Sequence, residues 1–125
     1  MAGVVVLAFS IAPNPKEPVD DGDPFTGRWL LNGVDALDVE YSGTLTIVAA
    51  GDGYELHWLV TGGIRVGTGT GRGGRLVAGW SATRGLDPER GGTAVYLVDA
   101  DGTLRGTTTI DGVSGSGTEE GFAAG

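Results

Sequence analysis

The amino-acid sequence predicts an all-β protein, an antiparallel up-and-down β-barrel of about eight strands preceded by an N-terminal strand and a Pro-rich linker. Three observations predict it. Apolar and polar residues alternate with period two in one run after another. Short Gly-rich turns separate the runs, so consecutive strands must pair antiparallel. No window carries apolar residues at helical spacing for long enough to form a helix.

The 125 residues divide into three segments. Residues 1–12 are mostly apolar, and the β-branched run Val4–Val6 favours extended backbone, so we expect a first strand there. A secretory signal is the alternative, although no Lys or Arg precedes the apolar run. Residues 13–24 hold four prolines and three aspartates, which predict a linker and not a calcium loop. Residues 25–125 form the barrel domain.

Composition excludes several classes of function. The chain has no Cys and one His, so we expect neither disulfides nor a metal site, and we predict no cofactor. A formal net charge of −8 argues against nucleic acid and against an anionic membrane surface as partners. The longest apolar stretch is far shorter than the roughly 20 residues of a membrane helix. We expect a cytoplasmic protein, with secretion as the alternative, and leave a homo-oligomer open.

The barrel strands follow one another from Phe25 onward. We predict strands over residues 25–33, 39–50, 54–61, 64–71, 75–83, 93–99 and 103–110, and a last run ending at Phe122. Residues 84–92 form a longer loop. Two-residue turns are predicted at Asp52-Gly53, Gly62-Gly63, Gly73-Gly74, Asp101-Gly102 and Asp111-Gly112, where glycine tolerates positive φ.

A meander of this length can fold into a sandwich or close into a barrel. The barrel is favoured because closure removes the exposed sheet edges. Gly67, Gly69 and Gly71 lie on one face of a single strand, which marks sharp curvature or the close approach of another group. This glycine segment does not predict a phosphate loop, because no helix follows it.

The alternation also assigns side chains to the two faces of the wall. Outward positions include Glu55, His57 and Arg105. The outward placement of His57 argues against a Ser-His-Asp catalytic triad. The predicted inward residues include Tyr54, Leu56, Trp58, Leu76, Trp80 and Tyr96.

Six aromatic residues are the candidate ligand-binding residues: Trp29, Tyr41, Tyr54, Trp58, Trp80 and Tyr96. Each joins an apolar body to a polar tip, which suits a ligand cavity, with ordinary core packing as the alternative. Small residues in phase with them, namely Ala78, Ala82, Ala94 and Gly106, leave space. The inward face is expected to hold no Lys, Arg or His. The sequence therefore predicts a cavity open at one barrel end that binds an uncharged, largely apolar small molecule.

Several short motifs in fixed order carry a resemblance. They are Phe25-x-Gly27-x-Trp29, Tyr41-x-Gly43-x-Leu45-x-Ile47, Gly53-Tyr54-x-Leu56-x-Trp58, Gly67-x-Gly69, Leu76 to Trp80, Val95-Tyr96, Asp101-Gly102-x-Leu104-x-Gly106 and Gly115-x-Gly117-x-Glu119. Their order resembles small bacterial β-barrel proteins of unassigned role, some labelled fibronectin-binding. Thr108 departs from that pattern, since such sequences often carry Trp there.

Two looser resemblances concern architecture. Gly27-x-Trp29 is similar to lipocalins and streptavidin-like barrels, in which that Trp closes one end. The barrel with its apolar N-terminal segment also resembles cofactor-free β-barrel cyclases of actinomycete pathways, including Diels–Alderases. A single Lys against seven Arg suits the GC-rich source that this implies.

Three hypotheses of function follow. The first is a barrel that binds an apolar small molecule. The second is a cofactor-independent cyclase of natural-product biosynthesis, for which orientation alone could supply the rate without an acid or base. The third is a surface adhesion or structural module. A substrate-dependent rate would favour the second, and a filled, dry interior would favour the third. No catalytic residue is predicted.

Overall fold

A computed structural model describes residues 23–85 and 90–124 of the chain. The predicted N-terminal strand and all but the end of the linker lie outside the described residues. The described part contains eight strands: β1 (Gly27–Val34), β2 (Glu40–Ala50), β3 (Gly53–Val60), β4 (Gly63–Arg72), β5 (Arg75–Gly85), β6 (Gly91–Val98), β7 (Leu104–Thr108) and β8 (Gly117–Ala123).

The eight strands form one closed barrel. Each strand pairs antiparallel with the next along the chain, and β8 returns to pair with β1 from Trp29↔Ala123 to Val34↔Thr118. Closure leaves no free sheet edge, which is the advantage that favoured a barrel over a sandwich. The predicted fold class is confirmed.

The hairpin turns agree with prediction at one position and differ at others. Gly73 and Gly74 form the β4–β5 turn with φ of 56° and 82°. The β2–β3 turn lies at residues 51–52, one residue before the predicted Asp52-Gly53, because Gly51 and not Gly53 adopts positive φ. The β3–β4 turn is likewise one residue early, at residues 61–62, with Gly62 at φ 87°.

The last two connections are longer than the predicted two-residue turns. Residues 99–103 join β6 to β7, and the carboxylate of Asp99 accepts backbone N–H groups of Asp101 and Thr103 there. Residues 109–116 join β7 to β8 and contain Asp111-Gly112 as one turn within them. Side-chain capping of this kind stabilises a wider loop without a tight hairpin.

The period-two pattern places the expected side chains inside. Leu56, Trp58, Leu76, Trp80 and Tyr96 are buried, and Tyr54 is half-buried. The side chains predicted to point outward are about half exposed: Glu55 54%, His57 55% and Arg105 50%. The inward and outward assignments are confirmed.

The row of glycines in β4 allows β5 to approach closely, as the sequence predicts. A Cβ atom at Gly67 would lie 2.3 Å from the Gly79 carbonyl oxygen of β5, far inside van der Waals contact. Larger residues would therefore push the two strands apart, and the tight curvature of a small barrel depends on this contact.

Aromatic side chains close the end of the barrel where the chain enters β1. Phe25 is buried there and packs edge-on against Tyr54, with ring centroids 6.0 Å apart. The Trp29 indole N–H donates to the Phe25 carbonyl oxygen at 2.9 Å. We call this the Phe25 end. The other end carries the β1–β2 connection (residues 35–39) and the β3–β4 turn (residues 61–62), and we call it the opposite end.

Candidate functional site

A buried carboxylate lies at the centre of a row of residues that crosses five strands. Glu119 of β8 pairs with Gly33 of β1 on one side and with Gly106 of β7 on the other. Beyond these glycines, Gly33 pairs with Tyr41 of β2 and Gly106 with Tyr96 of β6. The row therefore reads Tyr, Gly, Glu, Gly, Tyr around the barrel wall.

The two glycines make room for the two tyrosine rings. A Cβ atom at Gly33 would lie 2.6 Å from Cζ of Tyr41, and one at Gly106 would lie 2.5 Å from Cε1 of Tyr96. Each ring thus crosses the neighbouring strand where it has no side chain. The expectation that Gly106 leaves free space is wrong, because the Tyr96 ring fills that position.

The carboxylate accepts a hydrogen bond on each of its oxygens. The Tyr41 hydroxyl donates to Oε2 of Glu119 at 2.5 Å, and the Tyr96 hydroxyl donates to Oε1. The Trp58 indole N–H in turn donates to the Tyr96 hydroxyl oxygen at 3.0 Å. Four buried side chains from β2, β3, β6 and β8 form one connected network, which satisfies the polar atoms that burial would otherwise leave unpaired.

Burial raises the pKa of Glu119 above its ordinary value, although the hydrogen bonds from Tyr41 and Tyr96 and the charge of Arg65 oppose that rise. The pKa of Tyr41 and the pKa of Tyr96 are both raised, first by burial and then by the negative charge of Glu119. Both phenols therefore stay protonated and act as donors across the physiological pH range.

One cationic side chain lies at an inward position, against expectation. Arg65 pairs with Trp58 of β3 and Ala82 of β5, and its guanidinium carbon lies 4.8 Å from the ring centroids of both Tyr41 and Trp80. The prediction that the inward face holds no Lys, Arg or His is wrong. Cation–π contact with two rings offsets part of the cost of burial, and the half-buried side chain keeps some hydration.

The strand pairing is irregular beside Arg65. The register shifts between Ile64 and Arg65, so Ile64 pairs with Arg84 and Arg65 with Ala82, which leaves Thr83 as an extra residue in β5. The Thr83 hydroxyl donates to the Ile64 carbonyl oxygen at 3.3 Å. Such a bulge redirects the side chains next to it, and bulges are frequent beside binding and active sites.

The structure separates the six candidate aromatic residues into two groups. Tyr41, Trp58, Trp80 and Tyr96 are linked through Glu119 and Arg65, whereas Trp29 and Tyr54 lie with Phe25 at the Phe25 end. All six face inward, and their role in ligand binding stays a prediction.

Sequence reasoning missed the two charged members of this cluster. Glu119 is in phase with Gly117 and Gly121, and Arg65 is in phase with the glycine row that begins at Gly67, so the period-two rule could have placed both inside. Both were passed over because a charged residue in a barrel wall is normally assigned to solvent.

A separate groove of about 490 Å³ lies on the outer wall where β8, β1 and β2 meet, and its lining includes Asn32, Glu40, Ser42, Thr118 and Glu120. Of the six candidate residues only Tyr41 borders it, so it is not the predicted aromatic cavity. Within residues 23–85 and 90–124, no three His, Cys, Asp or Glu side chains converge as a metal site. The same residues include no helix long and apolar enough to cross a membrane.

No protein-family model matches the chain, and no curated protein matches it. Among solved structures the chain is similar to a redesigned β-barrel, mFAP1, bound to DFHBI. That similarity has a TM-score of 0.64 at 9% sequence identity and covers 82% of this chain and 96% of that chain. Identity this low reports the barrel fold alone. The resemblance to small bacterial β-barrel proteins stays a prediction.

Proposed function

We propose that the barrel binds a small, largely apolar molecule in its interior, towards the opposite end. One observation carries the proposal: the half-buried Arg65 guanidinium contacts the rings of both Tyr41 and Trp80 inside the wall. A core built only for stability gains little from a charged side chain at an inward position, since an apolar residue there would avoid the cost of desolvation.

Two further features support this position. The bulge at Thr83 adjoins Arg65, and the Glu119 network fixes the orientation of Tyr41 through a 2.5 Å hydrogen bond. Binding sites are commonly aromatic surfaces with a few polar groups held in place by surrounding contacts. Tyr41 and Trp80 supply the aromatic surface, and Arg65 supplies the polar group.

The similar solved barrel supports the proposal by analogy. mFAP1 is bound to DFHBI in its structure, and its chain is covered almost completely by the similarity. An eight-stranded barrel is wide enough to hold one small ligand. The analogy concerns architecture, because a fold alone does not determine function.

Tryptophan fluorescence provides the test, with the uncharged probe N-phenyl-1-naphthylamine as ligand. We expect saturable quenching of the protein's tryptophan emission by the probe. Ala82→Phe places a ring at a half-buried inward position paired with Arg65, and Ser81→Phe places the same ring at the adjacent exposed position. Ala82→Phe should weaken probe binding at least about tenfold, equivalent to about 1.4 kcal/mol, whereas Ser81→Phe should leave it unchanged.

Circular dichroism of both variants establishes that each retains the all-β fold. Equal effects of Ala82→Phe and Ser81→Phe would contradict an interior site. Wild-type protein that binds no probe would overturn the proposal and leave the surface-interaction hypothesis.

A further inference from the structure

We infer that Arg65 recognises an acidic group on the ligand, a carboxylate or a similar compact oxyanion, while the aromatic rings contact its apolar part. The inference rests on the proposed function and specifies the chemistry of the ligand. It replaces the expectation of an uncharged ligand, which assumed that no cation faces inward.

No direct salt bridge joins Arg65 to a carboxylate in the described part of the chain, although its charge acts on Glu119. Ion pairs in the described part include those of His57 with Glu55 and of Arg105 with Asp99 and Glu120. The buried carboxylate of Glu119 accepts its direct hydrogen bonds from Tyr41 and Tyr96 and forms no salt bridge with Arg65. Arg65 is therefore held by its two ring contacts and by the longer-range attraction of Glu119, without a direct salt bridge.

The ring contacts leave the guanidinium able to bind an oxyanion. Arginine carries five N–H donors in a planar fork. Arg65 directs hydrogen bonding towards the Tyr41 hydroxyl, and aromatic carbon atoms do not use the remaining donors as a carboxylate would. A carboxylate meeting this fork forms two parallel charge-assisted hydrogen bonds. Because Arg65 is only half-buried, a ligand can reach it, and the partly desolvated surroundings strengthen the attraction.

The overall negative charge of the protein means that an anionic group can bind only beside a local cation. With a net charge of −8, the chain as a whole repels anions, so anion binding requires a local cation. Arg65 supplies such a cation, in contact with two interior aromatic rings. An acidic, largely apolar molecule would contact the rings and form a salt bridge with the guanidinium, whereas a neutral molecule would leave Arg65 without a salt bridge.

A pair of matched probes tests the inference. 8-Anilinonaphthalene-1-sulfonate and N-phenyl-1-naphthylamine share one ring skeleton, and only the first carries an anionic group. We compare their dissociation constants for wild type, Arg65→Met and Arg72→Met by fluorescence titration. Arg72 is an exposed residue at the end of the same strand and serves as the matched control.

We expect wild type to bind the sulfonate probe more tightly than the neutral one. Arg65→Met should raise the dissociation constant of the sulfonate probe at least about tenfold, the loss expected for a charge-assisted hydrogen bond. The dissociation constant of the neutral probe should stay within about twofold of its wild-type value. Arg72→Met should change neither. Arg65→Lys, which keeps the charge but loses the fork, should give an intermediate loss and serves if Arg65→Met fails to fold.

Two results would overturn the inference while the proposed function stands: equal affinity of wild type for both probes, or a loss in Arg65→Met that is the same for both. The second would mean that Arg65 only positions the rings. An equal loss of sulfonate binding in Arg72→Met would also overturn the inference, because the probe would then be bound by non-specific surface charge. Failure of both probes to bind wild type would instead overturn the proposed function.

Discussion

The Tyr41 hydroxyl lies 2.5 Å from Oε2 of Glu119, although 78 residues separate the two in the chain and β1 stands between their strands. Gly33 of β1 makes the contact possible, because any side chain there would overlap the Tyr41 ring. Gly106 has the same relationship to Tyr96 on the other side of β8. Each side-chain hydrogen bond of the network therefore connects two strands that are not paired with each other in the sheet.

Replacing Glu119 removes the acceptor of two buried hydroxyl groups. We expect Glu119→Leu to lower the free energy of unfolding by about 1–3 kcal/mol, since unpaired buried hydroxyls cost more than the removal of the buried charge regains. Glu120→Leu is the matched control, because Glu120 points outward and pairs with the exposed Arg105. Urea denaturation should show little change for the control. A loss as large in Glu120→Leu would contradict the assigned role.

A methyl group at Gly106 tests the contact with the Tyr96 ring. Gly106→Ala would place Cβ 2.5 Å from Cε1 of Tyr96, so the ring must move away from Glu119. We expect a loss of about 1–3 kcal/mol in unfolding free energy, typical of overpacking. Gly79→Ala is the control, because the nearest atom to a Cβ added at Gly79 is 3.9 Å away. Its unfolding free energy should stay within about 0.5 kcal/mol of the wild-type value. Similar stabilities of the two variants would contradict this packing.

The sequence was sufficient to predict the fold because the information is local. Alternation with period two fixes which side chains face inward, and short glycine turns force antiparallel neighbours. Leu56, which was predicted to point inward, is completely buried, and so are Leu45 and Ile47, which share one face of β2. Turn positions were less accurate, because either glycine of a pair such as Gly51 and Gly53 can adopt positive φ.

The charged members of the site depend on relationships that are not local. The contact between Tyr41 and Glu119 requires barrel closure, which brings β8 beside β1, and the register that aligns Gly33 with both. The inward position of Arg65 adjoins a one-residue bulge in β5, which the alternation of apolar and polar residues does not predict. The period-two phase is compatible with an inward position for both charges, but their contacts with Tyr41, Tyr96 and Trp80 required the three-dimensional structure.

Trp58 contributes both packing and a hydrogen bond. It is 2% exposed, and its indole N–H donates to Tyr96. We expect Trp58→Ala to cost about 3–5 kcal/mol, the range for a large buried aromatic residue. His57→Ala, at the adjacent exposed position, should change stability little. Denaturation of both variants in guanidinium chloride measures the two changes in unfolding free energy. A small loss for Trp58→Ala would mean that the interior tolerates an empty site the size of an indole.

The buried carboxyl of Glu119 should make stability depend on pH in a definite direction. Burial raises its pKa above the ordinary value of 4.5, so the folded barrel favours the protonated form more than the unfolded chain does. The stability that this preference contributes is complete below about pH 4.5 and is lost as pH rises through the folded-state pKa. Glu119→Gln cannot titrate and should lack this loss.

The difference in unfolding free energy between wild type and Glu119→Gln isolates this contribution. Hydrogen bonding with Asp101 and then with Arg105 lowers the pKa of Asp99 to about 2, so its stabilisation is lost only as pH falls towards that value, equally in both proteins. The raised pKa of Tyr41 keeps its phenol neutral throughout the acid and neutral range. We therefore expect wild type to lose stability relative to Glu119→Gln as pH increases from 4 to 8, measured by urea denaturation at each pH. If wild type instead gained stability over this range, the folded barrel would favour the ionised carboxylate, and the tyrosine hydrogen bonds would outweigh the cost of its burial.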